Sequence, residues 1–127
     1  MSRLLLDSHV VLWWLDEDWP LPIETRSAID DANNEVVVSA VSIWELNLKR
    51  AKGRLEWPGD LMSELDAREV GILDVNGLHA EVAAELPLHH RDPFDRMIVA
   101  QAVHDGYTLV TADQRLAVYY VPILAAA

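Results

Sequence analysis

The feature that most constrains this chain is a series of apolar runs too short to be helices. Leu4–Leu6, Val36–Val38, Ile72–Val75, Tyr107–Thr111 and Val121–Leu124 are three to five residues long and rich in Leu, Val and Ile. They show little polar alternation, which is the signature of strands buried on both faces. Between them lie segments with helical spacing or helical stop signals: residues 9–15, 23–32, a stretch from Val41 closed by Gly53, one from Pro58 through Glu69, and Leu78–Leu86 closed by Pro87. A further helix is expected from Pro93 to about Asp105, with Gly106 as its stop, and a short one at 114–119. Strands alternating with helices predict an α/β fold: a three-layer α/β/α arrangement around a central, mainly parallel sheet of four to five strands. The 127 residues suit one domain spanning 1–127 with one substantial core.

Composition removes several function classes. Without cysteine there is neither a disulfide framework nor a thiolate zinc site, in keeping with a cytoplasmic protein. The apolar start, Leu4–Leu6 and Val10–Leu15, is interrupted by Asp7 and His9, and no small-residue cleavage site follows. No stretch approaches a membrane span. The formal charge of −11 taken alone argues against nucleic acid. The cations are clustered, however, with Lys49, Arg50, Lys52 and Arg54 in one segment and Arg91, Arg96 and Arg115 flanking acids.

Those acids are where chemistry is expected. Asp7 ends the first strand and Asp113 follows the strand Tyr107–Thr111. Ligands in an open parallel sheet bind beyond the carboxyl ends of its strands, so the two acids belong on one rim. Each also suits a helix N-cap. Glu45, early in a helix, either points at that rim or complements the helix dipole and pairs with Lys49 four residues on. In Arg91-Asp92-Pro93-Phe94-Asp95-Arg96, Pro93 at the first helical position makes Asp92 the N-cap and puts Asp95 in the first turn. A purely structural cap would read the same way. Clustered carboxylates repel one another and take up protons unless a cation joins them. An all-oxygen set suits magnesium or manganese, whereas zinc would call for a histidine spacing that is missing. Such a site suits phosphodiester hydrolysis by water, leaving a 5′-phosphate and a 3′-hydroxyl.

The stretches Leu4-Leu5-Leu6-Asp7-Ser8-His9, Ser39-Ala40-Val41-Ser42-Ile43-Trp44-Glu45-Leu46, Arg91 to Ile98 followed by Ala100-Gln101-Ala102, and Leu109-Val110-Thr111-Ala112-Asp113 together resemble the PIN-domain superfamily, and closely its VapC toxin branch. The order and spacing of the motifs carry the resemblance across nearly the whole chain. It implies an endoribonuclease toxin in which Asp7, Glu45, Asp95 and Asp113 bind one or two Mg2+ or Mn2+ ions and cleave RNA. Asp92, Ser8 and Thr111 would support those acids, the two hydroxyls by orienting carboxylates or metal-bound water. It also implies a homodimer and a cognate antitoxin that blocks the cleft, with sequence-specific DNA contacts made only through that antitoxin. The family's aromatic directly after the fourth acid is missing here, where Gln114 stands.

Lys49, Arg50, Lys52, Arg54, Arg91 and Arg96 are candidates for contacting the RNA backbone, or equally a solvated surface. Trp13, Trp14 and Trp44 read as core or dimer contacts. Trp57, beside the basic segment, is the best candidate for stacking on a base. His89 and His90 read as bystanders. Among rival functions, a receiver-type signalling domain would need paired acids at the first strand and a lysine after the last core strand. This chain has Asp7-Ser8 and no lysine beyond Lys52. A haloacid-dehalogenase-like phosphatase needs an aspartate where His9 stands. A catalytically silent PIN-like RNA- or protein-binding module would be expected to lack one of the four acids.

Overall fold

A computed structural model describes residues 1–89 and 91–127. His90 lies outside the described residues. The chain runs β1 (Arg3–Leu6), α1 (Ser8–Leu15), α2 (Ile23–Asp30), β2 (Glu35–Ser39), α3 (Ala40–Ala51), α4 (Leu61–Ala67), β3 (Gly71–Leu73), α5 (Gly77–Glu85), α6 (Pro93–Asp105), β4 (Thr108–Thr111), a 3-10 segment (Gln114–Tyr119) and β5 (Ile123–Ala125). The five strands form one parallel sheet in the order β3-β2-β1-β4-β5. The chain therefore enters at the centre, winds to one edge, and returns to build the other. The direction reverses between β1 and β4, where a crevice opens at the strands' carboxyl ends.

Strand alternation divides the core in two. Leu4, Leu6, Val38 and Val110 face one layer with Val10, Val11, Trp14, Leu46, Leu61 and Leu65. Leu5, Val37 and Leu109 face the other with Ile98, Val99, Ala102, Leu116 and Tyr119. Because both sheet faces are covered, the strand sequences read as continuous apolar runs.

The α6 boundaries follow the sequence signals. Asp92 accepts from the Phe94 and Asp95 amides, Pro93 opens the helix, and Gly106 ends it at φ 76° in the left-handed region. Several expected boundaries shift: the helix expected over 23–32 ends at Asp30, and the strand expected over Val121–Leu124 runs Ile123–Ala125. The helix expected from Pro58 starts at Leu61, because Gly59 turns at φ 79° and the Asp60 carboxylate caps the Ser63 amide. The strand expected to reach Val75 stops at Leu73, which pairs with Ser39, the last residue of β2.

Candidate active site

Each acid is placed by a local device that is itself ordinary. Asp7 caps α1: Oδ1 accepts from the Ser8 amide at 2.8 Å and Oδ2 from the Thr111 hydroxyl at 2.7 Å. The Thr111 Oγ1 in turn accepts from the Asp113 amide at 3.0 Å. One buried hydroxyl thus ties the end of β1 to the turn after β4. Asp113 caps the 3-10 segment and holds the Arg115 guanidinium through both oxygens, at 2.9 and 2.8 Å. The two roles weighed for these aspartates, cap and rim acid, coexist.

Ser8 requires a correction. Its amide serves Asp7, but its hydroxyl is buried and donates to the Ser42 hydroxyl at 3.0 Å, so the hydroxyl fastens α1 to α3 and bonds no carboxylate among the described residues. The sequence carries no signal for the Ser42 contact, which spans 34 positions.

Asp7, Glu45, Asp92, Asp95 and Asp113 line a single cleft of about 390 Å³ together with His9, Trp13 and Lys49. Glu45 is buried; its Oε2 accepts from Lys49 Nζ at 3.1 Å, and its Oε1 is buried with no hydrogen-bond partner among the described residues. Burial raises the Asp7 carboxyl above its ordinary range, against the opposing hydrogen bonds from Thr111 and Ser8. Asp95 is pushed up to about 7 by burial and then by the charges of Asp7, Asp92, Glu45 and Asp113. An unpartnered buried carboxylate oxygen and a carboxyl driven toward neutrality by its neighbours fit a bound cation, and the all-oxygen donors fit a hard one.

Outside the cleft, and among the described residues, the three side chains whose potential ligand atoms all lie within 4.8 Å of one another are His79, His104 and Asp105. Among the described residues, no three of the cleft acids meet that spacing. In the histidine cluster, His79 Nδ1 accepts from the Asn76 amide, so Nε2 carries the proton that bonds Asp105 at 2.8 Å. That arrangement joins the start of α5 to the end of α6 and leaves His79 no lone pair for a metal.

The cationic candidates separate. Lys49 lies in the cleft. Arg50 donates to the carbonyls of Trp57 and Gly59 and covers the Trp57 ring at 4.5 Å. Trp57 therefore offers no open platform: Arg50 sits on it, its Nε1 is buried, and it packs on the core. Arg96 donates to the carbonyls of Ala83, Leu86 and Pro87, closing the end of α5. Lys52, Arg54 and Arg91 are exposed. His89 packs its ring against Tyr119. Trp14 is buried, as expected for a core residue, whereas Trp44 is 62% exposed. Sequence reasoning missed His9 and Trp13 as cleft residues. Their positions two and six residues after Asp7, the latter one helical turn beyond the former, were the available signal.

Among known proteins, the PIN domain family model matches residues 4–122. Ribonuclease VapC22 of Mycobacterium tuberculosis is 36% identical over 119 residues, 91% of each chain. The solved structure of VapBC2 from Rickettsia felis bound to a DNA fragment from its promoter superposes with a TM-score of 0.76 at 16% identity, covering 99% of this chain and 100% of that one. VapBC-1 from nontypeable Haemophilus influenzae gives 0.66 at 16%, covering 98% of each. At those identities the structures establish likeness of fold. Motif order, five-stranded parallel sheet and family match agree: the chain belongs to the PIN domain family, in its VapC branch.

Proposed function

We propose that this chain is a metal-dependent endoribonuclease, a single PIN domain over residues 1–127 that acts in the cytoplasm as the toxin of a toxin–antitoxin pair. The observation that carries the reading is the electrostatic incompleteness of the cleft. Four carboxylates from separate elements converge there, one with an unpartnered buried oxygen and one held near neutrality. The 36% identity to a protein named as a ribonuclease supports the same activity.

Asp7, Glu45, Asp95 and Asp113 would hold one or two Mg2+ or Mn2+ ions. Such an ion supplies charge neutralisation at a phosphate and activation of water. Thr111 orients Asp7 through its hydroxyl, and Asp92 fixes the first turn of α6 that carries Asp95. Partly exposed Lys49, which lines the cleft 3.1 Å from Glu45, would be a cation for a phosphate once Glu45 has another partner. The acidic cleft also suits a basic side chain of a cognate antitoxin, and the chain would work as a homodimer.

The test is incubation of pure protein with total RNA in manganese or EDTA, with the cut ends mapped. EDTA-sensitive cuts bearing 5′-phosphates are expected, and Asp7→Asn and Asp95→Asn should abolish both cleavage and growth arrest. Unchanged cleavage in well-folded forms of both variants would refute the metal-site assignment. A wild-type protein that cuts no RNA would point to a catalytically silent binding module.

A further inference from the structure

Three rings run in sequence from the cleft, and although Trp13 also packs against the core, core packing does not account for the row as a whole. His9 and Trp13 both line the cleft; one helical turn apart on α1, their rings lie 6.1 Å from each other. Trp13 stacks in turn on Trp19 at 5.0 Å and 4°, almost parallel. Trp19 is 40% exposed, and His9 is exposed. Arg26 on α2 fixes this arrangement, its guanidinium donating to the carbonyls of Trp13, Trp14, Asp16 and Trp19 at 3.2–3.5 Å. The backbone that carries Trp13 and Trp19 is therefore held by Arg26. Core packing explains Trp14, which is buried with its Nε1 bonded to Asp30 at 2.8 Å. It does not explain a second indole laid flat against Trp13 at the surface.

We propose that His9, Trp13 and Trp19 form a subsite for unpaired nucleobases of a single-stranded RNA whose phosphodiester lies in the acid cleft. The inference rests on the ribonuclease reading and adds the side chains that would hold the bases of the RNA. A chain of net charge −11 gains little from phosphates alone. Of the nearby cations, Lys49 is paired with Glu45 until that acid takes another partner, and Arg115 is held by Asp113. Aromatic faces hold bases without regard to that charge, and every base has such a face. Bases inside a duplex are stacked on one another and offer no face, so the row selects unpaired segments or loops.

The test uses the full-length protein with Mn2+ and short RNAs of one sequence, single-stranded or as a duplex. Trp19→Leu is expected to raise KM for the single strand about tenfold, about 1.4 kcal/mol, with kcat within about twofold. Trp19→Tyr should restore most of the loss. The single strand should be cut in strong preference to the duplex. A second readout is independent of the variant's folding: 2-aminopurine placed in turn at each base flanking the cut site should be quenched on binding at one side. Cleavage with KM unchanged in Trp19→Leu, or no quenching at either flank, would overturn the subsite while leaving the ribonuclease reading intact. Unchanged KM together with weakened binding of a co-expressed antitoxin would assign the rings to a protein contact and likewise overturn it. Absence of any cleavage by the wild-type protein would remove both readings.

Discussion

Asp95→Asn should make the metal-free protein more stable, an unusual result for a residue at the centre of a site. The Asp95 carboxyl stands at about 7 in the folded chain against an ordinary 3.8, because it is partly buried and faces Asp7, Asp92, Glu45 and Asp113. Between pH 3.8 and 7 the unfolded chain gives up this proton while the folded chain keeps it. Stability therefore falls as pH rises through that window, and the whole penalty is present above 7. A displacement of that size corresponds to at most about 4 kcal/mol. Partial exposure screens the interaction, so about 1–2 kcal/mol is expected, or roughly 4–8 °C in melting temperature. Removing the charge should thus stabilise the protein by that amount at pH 8 in EDTA, with the difference vanishing near pH 4. The assay is urea and thermal denaturation of both proteins across that range. Adding Mn2+ should stabilise the wild type more than the variant and narrow the gap. A variant equal to or less stable than the wild type at pH 8 would refute the electrostatic account of the cleft.

Two further perturbations separate the cleft from its surroundings. Arg115→Gln removes the guanidinium that holds both Asp113 oxygens, so Mn2+ binding followed by calorimetry should tighten roughly threefold or more; unchanged affinity would mean that Arg115 does not compete for the acid. His79→Ala opens a buried cavity and removes the partner of the Asn76 amide and of Asp105 Oδ2, which should cost about 2–4 kcal/mol in urea denaturation while leaving kcat per folded molecule unchanged.

Local physics made much of this protein legible before its fold. Unalternating runs such as Leu4–Leu6 and Val36–Val38 announce strands covered on both faces, and the structure contains five such strands, all parallel. Asp92, Pro93 and Gly106 specify the ends of α6 because each satisfies a backbone requirement within a few residues. The acids were visible as residues at strand ends and helix starts for the same reason.

Only tertiary structure decided what those local signals could not contain. Strand order puts Asp7 beside Asp113, joined through Thr111 across 104 positions. Burial, a property of the packed layers, lifts Asp95 and leaves Glu45 Oε1 without a partner among the described residues. The tryptophans were sorted on the same ground: Trp57 is covered by Arg50, while Trp13 packs against the core as expected and also lines the cleft and stacks on Trp19. Hydrophobicity and spacing report how strongly a side chain avoids water. Which side chains it meets depends on how α1, α2 and α3 dock on the sheet.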